Sequence, residues 1–278
     1  MGCEDTDCEE RLTSLEPHNP QLATNMIAFP PCKVNLGLNV LRKRPDGYHD
    51  IETCFYPIPW TDILEVIPSD KFEFTYSGNV IPGEDNLCVK AYRLLNAPPA
   101  KIHLHKIIPT GAGLGGGSSD AAWTLRLLNE VFDLNLSNNE LKKYAAQIGS
   151  DCAFFIDDGP MIGTGKGEIL TPATISLSGK FIAIVKPDVH VSTAEAYAGI
   201  VPNESKLDLG NIQGLKNDFE EPIFKKYPVI RSIKQTLYNN GAIYASMTGS
   251  GSAVYGIFNN AIDPKALFPG STVFSCWL

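Results

Sequence analysis

No apolar run in the 278 residues approaches the ~18 that a membrane-spanning helix needs. Positive charge is scarce: 23 Lys and Arg stand against 31 Asp and Glu, a net charge of −8. That balance excludes a non-specific nucleic-acid surface, which needs excess cations. C-x-x-C is absent, and the seven cysteines (Cys3, Cys8, Cys32, Cys54, Cys88, Cys152, Cys276) are odd in number and scattered. They read as reduced thiols in a cytoplasmic protein, with neither a disulfide framework nor a zinc site. Internal repeats and low-complexity segments are missing too. With 44% apolar residues, the chain is expected to be globular, in one large domain or two modest ones.

Met1–Asn25 has neither periodicity nor the apolar core of a signal peptide, and its acidity opposes a transit peptide. Gly2 and Thr6 match a myristoylation pattern, but Glu4 and Asp5 sit between them and no basic patch follows. The segment is expected to be a disordered leader, or an added piece ahead of a natural start at Met26.

Against these absences stands Lys101–Glu130, KIHLHKIIPTGAGLGGGSSDAAWTLRLLNE. Ile102, Leu104 and Lys106 alternate with His103 and His105, a strand pattern ended by Pro109. Gly111, Gly113, Gly115, Gly116 and Gly117 then fall within seven residues. Ser118, Ser119 and Asp120 supply the cap and first turn of a helix expected to reach about Phe132. Glycines let backbone approach an anion closely, and a helix start offers free N–H groups and a positive dipole end. The pattern points to phosphate. It is not a P-loop, because no lysine follows the glycines. Gly111–Gly116 spells G-x-G-x-x-G, but the second strand and acid of a dinucleotide fold do not follow. H-R-D and D-F-G, the later marks of a protein kinase, are absent.

A second stretch, Met26–Asp50, carries strict alternation. Val34, Leu36, Leu38 and Val40 are expected to share one buried face, and Lys33, Asn35, Gly37 and Asn39 the other. Gly37 in mid-strand suggests a close approach on that second face. Arg44–Gly47 reads as a turn, with Tyr48 and His49 just past it.

Elsewhere the signals are weaker. Gly83–Asn86 should cap a helix to about Asn96. His103 and His105 share a strand face without a third ligand, so a solvated face is expected. A helix capped near Asn138 leads to Asp151, at the mouth of the apolar run Cys152–Phe155. Composition resets near Ser178. Strand Phe181–Val185, helix Pro228–Tyr238 and strand Thr272–Trp277 frame the small-residue loop Thr248–Ser252.

Three of these stretches together resemble the GHMP kinases. Pro109–Ala122 resembles the family's second motif, P-x-G-x-G-L-G followed by small residues and S-S. Lys33–Glu52 resembles the first motif of one branch, which acts on a cytidine diphosphate sugar alcohol; Asp46–His49, D-G-Y-H, marks that branch. Met247–Val254 resembles the third motif, and Asn217–Glu220 the family's N-D-F/L-E. One departure is Asp120, where many relatives carry Asn, which sets an extra charge beside the phosphates.

The resemblance implies a two-domain α+β GHMP kinase fold with the active site in the cleft between domains, divided as 26–175 and 176–278. It implies ATP and Mg²⁺, small-molecule substrates, and neither nucleic acid nor membrane as partner. The expected reaction phosphorylates the 2-hydroxyl of 4-diphosphocytidyl-2-C-methyl-D-erythritol. Carried over motif by motif, Asp151 is the general base, Lys33 and Asn35 face the reacting hydroxyl, and Tyr48 and His49 hold cytosine. Pro109, Gly111, Ala112, Gly113, Leu114, Gly115, Gly116, Gly117, Ser118 and Ser119 cradle ATP, with Asn86 and Lys106 near the adenine. Gly249 and Ser250 complete the substrate side; the metal ligands stay open. Two competing readings are another GHMP small-molecule kinase, opposed by D-G-Y-H, and a non-catalytic nucleotide sensor, opposed by the joint presence of Lys33, Asn35 and Asp151.

Overall fold

The computed structural model describes residues 25–79, 85–203 and 205–278. The expected leader lies outside them, except for Asn25. Strand β1 (Met26–Ala28) leads into β2 (Pro31–Lys43) and β3 (His49–Thr61), joined by the expected turn, in which Gly47 N donates to Arg44 O. β4 (Ile63–Pro68), β5 (Glu73–Gly78), α1 (Leu87–Leu95) and β6 (Ala100–Lys106) follow. Next come α2 (Gly116–Val131), α3 (Asn138–Ile148), a 3-10 turn over Cys152–Ile156, and strands β7 (Met161–Thr164) and β8 (Ile169–Pro172). The later chain runs β9 (Phe181–Lys186), α4 (Thr193–Ala198), α5 (Glu220–Lys226), α6 (Pro228–Asn239), β10 (Tyr244–Met247), β11 (Val254–Phe258), α7 (Pro264–Leu267) and β12 (Thr272–Trp277).

These strands form three four-stranded sheets, ordered β1-β4-β6-β5, β2-β3-β7-β8 and β10-β11-β9-β12. Every pairing between these strands is antiparallel except β5 with β6, and α1, α2 and α3 gather on one sheet, so the class is α+β. Helices α1, α2 and α3 cover the first sheet through Ala91, Leu125, Leu128 and Leu141, against Leu64, Ile102 and Leu104. The two halves are not separate cores: Cys32, Val34 and Leu36 pack with Ile182, Ile184, Tyr255 and Ile257 in one cluster. Strands up to β8 build the first two sheets and strands from β9 the third, and we propose the domain division at 175 and 176 on that basis.

Local chemistry explains most helix ends. The Asn86 side chain accepts from Cys88 N at the start of α1, and Asn96 ends the helix in the left-handed region. Ser137, one residue before the expected cap, makes a capping box with Glu140. The start of α2 differs more from expectation. Its cap is Gly115, at φ 70°, and helix begins at Gly116, so Ser118, Ser119 and Asp120 lie inside it. Gly116 is fixed there from beneath: a Cβ on it would stand 2.9 Å from Lys106 Nζ and 3.0 Å from Ile108.

The alternation along β2 breaks at Gly37. This residue, at φ 70°, sits in a bulge between Leu36, which pairs with Cys54, and Leu38, which pairs with Thr53. The extra residue exchanges the two faces. Leu38 and Val40 therefore join Ile51 in a different cluster from Val34 and Leu36, contrary to the single face expected. What approaches Gly37 is Leu207, whose Cδ1 would stand 2.6 Å from an added Cβ. Lys33, Asn35 and Asn39 are buried as well, not solvated.

β2 has one strand neighbour, β3. Loops close its other side. Lys33 N donates to Leu114 O, Asn35 N to Thr248 Oγ1, Leu38 N to Lys216 O and Val40 N to Asp218 Oδ2, at 2.7–3.2 Å.

Candidate active site

A cleft of about 1040 Å³ opens where these loops meet. It lies at the top of the range for single-ligand pockets, as a site for two substrates should. Its floor is the β2 strand at Lys33 and Asn35. The glycine loop lines one side. Gly111, Gly113 and Gly115 all have positive φ, at 62°, 78° and 70°, conformations that an L side chain resists. The first intrahelical bond of α2 runs from Ser119 N to Gly115 O, so the N–H groups of Gly116, Gly117 and Ser118 precede it. Pro109, Ala112 and Leu114 also line the cleft. Ser119 is fully buried, with its N–H donated to Gly115 O inside the helix and its Oγ left without a partner among the described residues.

Lys33 is 3% exposed, and its ammonium donates to Asn35 Oδ1 at 2.6 Å and to Gly113 O at 3.0 Å. Asp151 Oδ2 stands 3.4 Å away, with that carboxylate 31% exposed. Strand, glycine loop and the mouth of the Cys152–Ile156 turn thus converge on one ammonium. Asn35 is held at every polar atom. Its Nδ2 donates to Thr53 Oγ1, its Oδ1 accepts from Lys33, its N–H meets Thr248 and its carbonyl accepts from Tyr255 Oη. The second-half loop is clamped in turn by Asn217, whose Nδ2 donates to Met247 O and Gly249 O. That clamp brings Gly249 and Ser250 to the cleft wall.

The other end is aromatic. Tyr48, 61% exposed, lines the mouth, with Lys166 Nζ 4.7 Å from its ring centre. His49 stacks on Tyr197, with centroids 4.7 Å apart and planes at 18°. Burial, reinforced by Lys43, lowers the His49 pKa, which favours the neutral ring. Burial and the Asp151 charge push the Tyr197 phenol up to about 12.

The GHMP kinases N terminal domain model matches residues 86–161, and the GHMP kinases C terminal model matches 204–268. A 4-diphosphocytidyl-2-C-methyl-D-erythritol kinase of Cytophaga hutchinsonii is 53% identical over 250 residues, 84% of this chain and 93% of that one. The chain belongs to the 4-diphosphocytidyl-2-C-methyl-D-erythritol kinases, a branch of the GHMP kinases. A relative of the same name from Bacteroides thetaiotaomicron is 49% identical over 272 residues, covering 90% of this chain and 98% of its own. A crystal structure of 4-(cytidine 5'-diphospho)-2C-methyl-D-erythritol kinase matches with a TM-score of 0.76 at 31% identity, over 90% of this chain and 98% of that one. A homoserine kinase from Cytophaga hutchinsonii, 15% identical with a TM-score of 0.67, shares the fold.

Within this kinase, Lys106 does not offer a free charge to the cleft. It is 4% exposed and bonded to both Asp62 and Asp120, the latter at 2.8 Å. Burial lowers its pKa, and the two carboxylates more than reverse that, for a net rise. Burial lifts the Asp120 carboxyl to about 7, against the pull of Lys106 and with the push of Asp62. The extra charge expected beside the phosphates is therefore tied up beneath the start of α2. Asn86 does line the cleft, together with Leu87, Leu104 and Gly117. Sequence reasoning missed Tyr197 and Lys166 in the cleft lining, and Thr248 and Asp62 buried behind it. Only Thr248 stood in a flagged motif; the others had no local signal. His103 and His105 bond to Thr75 and Ser77 on β5, away from the cleft lining.

Proposed function

We propose that this kinase moves the γ-phosphoryl group of ATP onto the 2-hydroxyl of 4-diphosphocytidyl-2-C-methyl-D-erythritol, a step of the non-mevalonate route to isoprenoids. The observation that carries the reading is Lys33, held by Asn35 and Gly113 and 3.4 Å from Asp151. Two of the three ammonium protons are engaged, and the third serves the Asp151 side. A tertiary hydroxyl placed there meets a carboxylate to take its proton and a cation to stabilise the oxyanion. General-base action contributes about 10²–10⁴-fold. The cation is worth more here than in water, because Lys33 is almost fully buried. Asn35 orients the hydroxyl while its Oδ1 holds Lys33.

The loop amides at Gly111–Gly117 and the N–H groups at the start of α2 hold the phosphates. Asn86 and the apolar walls Leu87 and Leu104 take the adenine. Tyr48, His49 and Tyr197 offer flat rings for cytosine. Gly249 and Ser250 contact the sugar-alcohol side. Among the described residues no three His, Cys, Asp or Glu side chains cluster as a metal cage. Mg²⁺ would be carried chiefly on the ATP phosphates, its usual mode in kinase sites. The ion, when bound, neutralises phosphate charge. The described cysteines, Cys32, Cys54, Cys88, Cys152 and Cys276, are free thiols, which suits the cytoplasm.

A coupled assay of ADP release, run with the cytidine substrate and with mevalonate, tests the proposal. Turnover is expected with the first only. Equal turnover with mevalonate, or none with either, would overturn it.

A further inference from the structure

Thr248 lies 213 residues from Asn35, in the loop after β10, and is fully buried. Its hydroxyl accepts the Asn35 N–H at 3.2 Å. The same oxygen stands 3.2 Å from Asn35 Oδ1 and 3.1 Å from Gly113 O. Those are the two oxygens that receive the Lys33 ammonium. One hydroxyl therefore touches both anchors of the proposed catalytic cation, and the main chain of the strand that carries it.

The loop that presents Thr248 is fixed independently of that hydroxyl. Thr248 N donates to Ala253 O, and Gly251 N to Thr248 O. Its backbone presses on the glycine loop, since a Cβ on Gly113 would stand 2.0 Å from Thr248 O. The side chain is not needed to close the turn. Its single proton goes to one of the two oxygens that already accept from Lys33, and the hydroxyl oxygen stands in contact with the other.

We propose that Thr248 is a positioning residue, whose hydroxyl fixes the Asn35 amide and Gly113 carbonyl and so sets the Lys33 ammonium relative to Asp151. The proposal rests on the roles assigned above to Lys33 and Asp151. Misplacing a catalytic group by ~1 Å can cost about 10²-fold in rate. The Gly113 contact is through its carbonyl, so the loop N–H groups that hold the phosphates are not among the groups the hydroxyl touches.

Thr248→Val keeps the shape and removes the hydroxyl. Steady-state kinetics on the full chain should show kcat lowered about 10- to 100-fold, with both KM values within about threefold of the parent. Thr248→Ser should restore kcat to within about threefold. In a Lys33→Ala background, adding Thr248→Val should cause no further loss, because the group it positions is gone. A valine variant as fast as the parent overturns the proposal. So does a serine variant as slow as the valine one, which would assign the effect to the methyl group. An equal fractional loss in the Lys33→Ala background, or a loss expressed in KM for ATP, overturns it as well. If the valine variant does not fold, the same comparisons run between Thr248→Ala and Thr248→Ser. Parent-like turnover of Lys33→Ala alone would instead refute the proposed role of Lys33, and is read separately.

Discussion

Asp151 Oδ2 and Lys33 Nζ stand 3.4 Å apart, close enough to attract and longer than an ordinary hydrogen bond. The gap suits two groups that share a third, the acceptor hydroxyl. Asp151→Asn should lower turnover by at least about 10²-fold, the low end for a lost general base. ATP affinity should hold, because a carboxylate offers the ATP phosphates no hydrogen-bond donor. Turnover assays beside calorimetry with a non-hydrolysable ATP analogue check both halves. Turnover within tenfold of the parent would remove Asp151 as the base.

Gly115 brings the glycine loop against Lys33. At φ 70°, a Cβ here would stand 3.1 Å from Lys33 Cε and from Phe155 Cζ. The sequence alone suggests that a side chain here harms ATP binding in a normally folded protein. The structure adds that it presses on Lys33. Gly115→Ala should lose about 1–2 kcal/mol of stability to the left-handed backbone. It should also lose kcat, not only ATP affinity. Urea midpoints with kinetics test this, and a variant unchanged in kcat would show that Lys33 accommodates the methyl group.

Tyr48 lies 61% exposed at the cleft mouth, with Lys166 near its ring. Base stacking on an aromatic ring is worth about 1–3 kcal/mol. Tyr48→Ala should therefore raise KM for the cytidine substrate about 5- to 150-fold and leave KM for ATP unchanged. Varying each substrate in turn decides it. A rise in the ATP value alone would reverse the two pockets.

Asp120 makes stability depend on pH. Its folded pKa, about 7, lies above the ordinary 3.8, so the native state holds the extra proton. Stability from this group therefore falls as pH rises between those values and levels off above them. The pressure is visible in the geometry: Asp62 and Asp120 share one ammonium, and Asp120 Oδ1 has no partner. Asp120→Asn, neutral throughout, should gain on the parent in denaturant midpoint from about pH 4 to about pH 7 and hold that gain above. A difference that is flat across the range would mean that Asp120 is ionised at all of these pH values.

What the sequence made legible was local. The Ile102, Leu104 and Lys106 alternation, the Asn86 cap, strand Thr272–Trp277 and the glycine loop are signalled by neighbours within a few positions. Motif order carried the family and the side chains facing the cleft. What it hid was set at a distance. The face exchange in β2 depends on a bulge at Gly37 covered by Leu207. The helix start at Gly116, a weak helix former, depends on Lys106 and Ile108 beneath it. Lys106 finds Asp62 across 44 residues, and Asn35 finds Thr248 across 213. No window of sequence holds such pairs.

The second half of the chain completes the free side of β2 with single groups, a Thr hydroxyl, an Asp carboxylate and the Lys216 carbonyl, instead of with a strand. A fragment ending at residue 178 would leave the N–H groups of Asn35, Leu38 and Val40 unpaired and would uncover Cys32, Val34 and Leu36 as well. A row of unpaired N–H groups recruits foreign strands. Light scattering of fragment 25–178, with and without separately made 179–278, would register the change. In the whole chain those N–H groups are already paired, which leaves no open edge on β2 for a second copy to add a strand.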